Sequence, residues 1–107
     1  MRDSIAKGVR CVLVLTAGFA EIGPEGRALQ DKLRDLCRHA GVRMVGPNSL
    51  GMLNLENRYF ATFSTVLYGL QPRAGRIALA TQSGAFGSCA YGMASLRGMG
   101  FSQIVAT

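Results

Sequence analysis

The chain has no tryptophan and a single histidine, and aromatic residues fill only 7% of its 107 positions. With so few aromatics, and none interleaved with basic residues, it offers no platform for stacking nucleic-acid bases. No nucleic-acid partner is expected. His39 stands at the end of a helical pattern, and one histidine among so few candidates supports no serine–histidine–acid or cysteine–histidine arrangement. Cysteine is sparse as well. Cys11, Cys37 and Cys89 lack metal-ligand spacing and cannot all pair with one another. Cys11 lies in an apolar run and the other two on apolar helix faces, so all three read as small buried hydrophobes in a reducing compartment. No metal site is expected. Apolar runs never reach the roughly 18 residues that a membrane span needs. Arg2, Lys7 and Arg10 ahead of Cys11–Ala20 imitate a signal peptide, but Asp3 interrupts them and the apolar run reads equally well as a buried strand. A cytoplasmic chain with no membrane partner is the expectation. Internal repeats and low-complexity tracts are also missing.

What is present is apolar and rich in turns. Apolar residues make up 49% of the chain, enough for a core, and fourteen glycines punctuate the segments rather than forming a repeat. The formal charge is +6, with basic residues spread from Arg2 to Arg97. That spread describes either an ordinary cationic surface or one that attracts an anionic ligand.

Hydrophobic period organises the chain. Ser4–Gly8 reads as a helix tail, and Val9–Leu15 as a parallel strand covered on both faces. Pro24 and Glu25 suit a first helical turn. Leu29, Leu33, Leu36, Cys37 and Ala40 follow at helical spacing until Gly41. Val42–Val45 is a second strand, Gly51–Leu55 a short extension or strand, and Asn54–Leu70 an aperiodic connector. Gln71–Gly75 carries the Pro and Gly punctuation of a boundary. Arg76–Ala80 is a further strand, followed by a helix to about Met99 and a last strand over Phe101–Ala106. On that helix Phe86, Cys89, Ala90, Met93 and Leu96 form a stripe expected to face the core. Strand and helix alternate, so the class is α/β with parallel crossovers. The chain starts on a helix tail and stops on an uncovered strand, as a piece of a longer protein would.

Three strand-exit loops carry the functional signal: Thr16–Glu21, Gly46–Gly51 and Thr81–Gly87. In an open parallel sheet, ligands bind beyond the carboxyl ends of the strands, where such loops gather. Gly18 lets a ligand approach the backbone. Pro47 and Asn48 form a tight turn with both donor and acceptor groups. Glu21 is either a site acid or a solvated loop charge. Ser83 is a helix cap, or its turn is an anion site at the positive end of the following helix. The glycine spacing matches neither G-x-G-x-x-G nor GK[ST], so these residues give no support for a common dinucleotide or nucleoside-triphosphate loop.

Thr16–Gly23, Arg43–Gly51, Ala61–Phe63, Gly75–Ala85 and Gly100–Ser102 together resemble, in order, the NDP-forming acyl-CoA synthetases of the succinyl-CoA synthetase superfamily. The resemblance implies that residues 1–70 are the second half of a Rossmann-like CoA-binding domain. It makes 71–75 a linker and 76–107 the start of a succinyl-CoA-ligase-like flavodoxin domain. It implies exchange of acyl-CoA, phosphate and NDP with acid, CoA and NTP through an acyl phosphate and a phosphohistidine. CoA or acyl-CoA would contact Leu15, Thr16, Ala17, Gly18, Pro47 and Asn48, and phosphate would contact Thr81, Ser83 and Gly84. Thr81 stands where the family often has serine, and the hydroxyl is kept. No catalytic residue lies in the chain, since the phosphorylated histidine is expected beyond Thr107 and His39 does not match it. ATP, ADP and magnesium would bind only through an ATP-grasp domain or subunit elsewhere, in an oligomer. The same domain pair also resembles the regulatory half of some protein acetyltransferases, where it would sense CoA or another ligand without turnover.

Overall fold

The computed structural model describes every residue from Met1 to Thr107. It divides into two compact units, Met1–Ser49 and Leu50–Thr107.

The first unit holds helix α1 (Arg2–Ala6), strand β1 (Cys11–Leu13), helix α2 (Pro24–His39) and strand β2 (Arg43–Val45). β1 and β2 pair in parallel, with Cys11 opposite Arg43 and Leu13 opposite Val45. This is the expected strand–helix–strand crossover, and the Val14 N–H extends the ladder by donating to the Val45 carbonyl at 2.9 Å. Pro24 opens α2 and Glu25 lies in its first turn, while Arg38 and His39 close it, all in agreement with the helix dipole. Phe19, Cys37 and Val42 are buried here. The strand is shorter than the apolar run that encodes it: Val9 and Leu15, each 36% exposed, lie outside it.

The second unit holds strands β3 (Gly51–Asn54), β4 (Tyr59–Thr62) and β5 (Arg73–Thr81), helix α3 (Gly84–Leu96) and strand β6 (Gly100–Ala106). Their order is β4-β3-β6-β5. β5 and β6 run parallel around α3, and β3 is antiparallel to both β6 and β4. Leu53, Leu55, Tyr91, Phe101 and Ile104 form the core, with Val66, Leu67, Leu79 and Ala94 packed against it.

Three expectations change. Residues 51–70, expected with the first half, lie in the second unit, because β3 completes its ladder on β6 and the connector contains β4. The stretch 71–75 is no free linker either, since β5 already begins at Arg73 and Gly75 packs on the Gly100 backbone. The largest change concerns α3. Phe86, Met93 and Leu96 are 67%, 50% and 75% exposed and Cys89 is exposed, so the predicted core stripe faces outward. The buried face is Gly87, Ser88, Tyr91, Gly92 and Ser95. A Cβ on Gly87 would lie 2.5 Å from the Thr81 Cγ2, so only small residues allow this approach to the strand end. Of the cysteines, Cys37 is buried as expected, whereas Cys11 and Cys89 are exposed.

Candidate functional site

In the first unit the ends of β1 and β2 bring two of the three loops together. The Asn48 N–H donates to the Thr16 carbonyl at 2.9 Å. Leu15, Thr16, Ala17 and Asn48 are exposed there, and Gly18 and Pro47 are half-buried. The turn is held by backbone geometry: the Gly46–Pro47 peptide is cis, Gly46 has φ +87° and Asn48 has φ 55°. Gly46 is indispensable to this arrangement, since a Cβ there would sit 2.3 Å from the Val14 carbonyl oxygen.

The neighbouring loop is tied down from within. The Glu21 carboxylate accepts hydrogen bonds from the Gly18 and Phe19 N–H groups, and the Gln30 Oε1 accepts from the Ala20 N–H at 3.1 Å. Its own backbone N–H, then those of Gly18 and Phe19, hold the Glu21 carboxyl below its ordinary pKa. Glu21 is therefore neither a free site acid nor an idle surface charge; it fixes the loop. Gly26 does the same from α2, where it packs on the Phe19 carbonyl so closely that no side chain fits. Sequence reasoning passed over Gly26, although a glycine inside an otherwise regular helix signals close backbone approach. A cleft of about 570 Å³ runs along β1 past Val12, Leu13, Val14, Leu15, Thr16 and Phe19.

In the second unit the β5 end and the first turn of α3 bring Thr81, Ser83 and Gly84 together. The Thr81 Oγ1 accepts from the Ser83 N–H at 3.1 Å and donates to the Ser83 carbonyl at 3.0 Å. The Ser83 Oγ accepts from the Phe86 N–H at 3.2 Å, which makes Ser83 the cap of α3. The Ser83 carbonyl in turn accepts from the Gly87 N–H at 2.9 Å. Two of the four orphan N–H groups of the helix are thereby satisfied, and those of Gly84 and Ala85 are left for another acceptor. A hydroxyl pair that holds the turn, two amide donors and the positive helix end together suit an anion. Leu50 braces the turn from below, 2.7 Å from where a Gly84 Cβ would be.

His39 is exposed, with its Nδ1 2.6 Å from the Asp35 carbonyl, as a helix-end residue. No helix is long and apolar enough to cross a membrane.

No protein-family model matches the chain. Individual proteins do. An acetate–CoA ligase (ADP-forming) of Archaeoglobus fulgidus is 43% identical over 100 residues, covering 94% of this chain and 14% of its own. A 4-hydroxybutyrate–CoA ligase (ADP-forming) of Nitrosopumilus maritimus is 34% identical over the same share of both. The alpha subunit of acetate–CoA ligase (ADP-forming) II of Pyrococcus furiosus is 35% identical, and the match covers 21% of its length. Among solved structures, acetyl-coenzyme A synthetase 1 of Candidatus Korarchaeum cryptofilum, in complex with phosphate and ADP, superposes with a TM-score of 0.85 at 32% identity. That match covers 98% of this chain and 21% of the other. The chain thus spans about a seventh to a fifth of the relatives it matches. In sequence and in fold, it corresponds to a segment of the ADP-forming acyl-CoA synthetases.

Proposed function

We propose that this chain supplies the CoA-contacting and phosphate-binding loops of an NDP-forming acyl-CoA synthetase. The complete protein would interconvert acyl-CoA, phosphate and NDP with acid, CoA and NTP. The first unit is the end of its CoA-binding domain, and β5–α3–β6 begins its flavodoxin-like domain. The observation that carries the reading is the Thr81–Gly84 turn, with its two uncommitted amides at the amino end of α3. Such a turn binds a phosphoryl group through preorganised N–H donors, at no reorganisation cost during transfer.

CoA suits the other loops. Leu15–Gly18 present an exposed backbone with open space at Gly18, where a Cβ would meet nothing within 4 Å. Asn48, fixed by its bond to Thr16, offers an amide that can orient the thiol end. These residues bind and orient. They contain no nucleophile for the covalent step, which falls to a histidine elsewhere in the complete enzyme, with ATP, ADP and magnesium held by an ATP-grasp domain or subunit. The Pyrococcus furiosus relative is named as an alpha subunit, and that supports an oligomeric enzyme.

The test uses the complete protein with acetyl-CoA, ADP and inorganic phosphate, and reads ATP by luciferase. ATP formation that requires all three substrates is expected. Tight CoA binding without any ATP formation would remove the ligase reading and leave a ligand sensor.

A further inference from the structure

A groove of about 510 Å³ lies beside the first turns of α3, within the second unit. Leu50, Phe63, Val66, Ala85 and Cys89 supply mostly apolar walls, and Ser64, Thr65 and Ser88 supply three hydroxyls. The volume and the balance of many apolar to few polar groups match small-molecule sites. We infer that this groove receives the carbon chain of the carboxylic acid, so that its residues select which acid is activated. The inference rests on the ligase reading above.

Position is the first argument. Ala85 lines the groove and also carries one of the two uncommitted N–H groups of the α3 turn. A carboxylate or acyl phosphate held at Gly84 and Ala85 therefore has its chain directed along the same helix turn, toward Ser88. The hydroxyl inventory is the second argument. The Tyr91 hydroxyl donates to the Ser64 Oγ at 2.8 Å, and the Ser64 and Ser88 oxygens are 2.9 Å apart. Tyr91, Ser64 and Ser88 are only 2%, 8% and 9% exposed. Three hydroxyl protons serve two contacts, so one serine proton is left over among apolar walls, where an unused donor is costly. An oxygen on the acid chain would take it. The third argument comes from the relatives, whose names specify acids of different length and polarity, acetate and 4-hydroxybutyrate. An apolar groove with spare hydroxyl donors is able to discriminate on both properties.

The experiment measures KM in the complete enzyme for acetate, butyrate, hexanoate and 4-hydroxybutyrate. Cys89→Phe fills the groove from an exposed lining position and should raise KM for hexanoate at least tenfold, with acetate and CoA little changed. Ser64→Ala combined with Ser88→Ala removes both buried hydroxyls of the groove and should lower the preference for 4-hydroxybutyrate over butyrate by roughly tenfold. Unchanged acid preference in both variants, or an equal rise for every acid and for CoA, would overturn the assignment. If the wild type activates no acid, the ligase reading falls separately. Saturation-transfer NMR with hexanoate then decides the groove, since transfer must be present in the wild type and lost in Cys89→Phe, and equal transfer in both refutes it.

Discussion

Ser83 allows the cap and the anion site to be separated by two substitutions at one atom. In Ser83→Ala the Phe86 N–H loses its acceptor at 3.2 Å. Loss of such a cap costs about 1 kcal/mol, within a range of roughly 0.5–2. In a unit of this size that lowers Tm by about 4–8 °C. Ser83→Asp behaves differently. An aspartate accepts the same N–H and complements the helix dipole, so the cap is kept and Tm should hold or rise. Its charge, however, confronts any phosphate at the turn. Ser83 is exposed, so a water-like dielectric applies. At about 4 Å each pair of unit charges then costs about 1 kcal/mol, or about 2 against a doubly charged phosphate. The affinity loss is roughly 30-fold. Differential scanning calorimetry reads the first quantity, and phosphate dependence of ATP formation in the complete enzyme reads the second. Ser83→Asp should be stable and poor in phosphate use, whereas Ser83→Ala should be less stable with a smaller phosphate defect. If Ser83→Asp uses phosphate as well as the wild type does, the turn is a cap and nothing more.

Four further perturbations test the frame around the loops. Gly46→Ala places a methyl group 2.3 Å from the Val14 carbonyl oxygen at φ +87°, so it should cost more than about 2 kcal/mol in urea unfolding; a neutral result would show that the β1–β2 turn is misdescribed. Glu21, with its folded pKa lowered, stabilises its loop above the unfolded value of about 4.3 and loses that contribution as pH falls through the lower folded value. Its carboxyl carbon should therefore titrate below the ordinary glutamate midpoint, and Glu21→Gln should speed hydrogen exchange at Gly18 and Phe19 at neutral pH; an ordinary midpoint would contradict the clamp. Tyr91→Phe removes the donor to Ser64 in the core and should cost about 1–2 kcal/mol, with most of that effect absent in a Ser64→Ala background. The outward apolar residues of α3 should make the 107-residue chain self-associate, and Met93→Gln with Leu96→Lys should shift its sedimentation toward the monomer without lowering Tm.

The strand–helix–strand frames were legible in the sequence, and for local reasons. Pro24, Glu25 and Gly41 bracket α2, and the short β-branched runs before Thr16, Gly46 and Thr81 announce strand ends whose loops are where the structure has them. The loops were legible because glycine, proline and asparagine report backbone geometry directly, as the positive φ values at Gly18, Gly46 and Asn48 bear out. The pairing of β3 was not legible. It depends on Gly51–Asn54 finding β6 some fifty residues away, antiparallel, and no local period encodes that choice.

The face of α3 was misread for a more general reason. Periodicity identifies residues that must leave water, but it does not say which surface will cover them. α3 has two such faces. One is made of Gly87, Ser88, Tyr91, Gly92 and Ser95, whose small side chains bring the helix close to its own sheet. The other, with Phe86, Met93 and Leu96, is the more apolar of the two and remains exposed. A helix apolar around its whole circumference is normally buried on all sides. The strongest hydrophobic stripe of this segment therefore suits contact with further polypeptide, while its weaker, small-residue stripe builds the unit itself. That division also accounts for the position of the candidate phosphate turn. Close packing through Gly84 and Gly87 locks the amino end of α3 against Leu50 and Thr81, so the two free amides are held by the most constrained part of the helix. A turn meant to receive a transferring phosphoryl group benefits from that rigidity, because its donors then need no rearrangement when charge arrives.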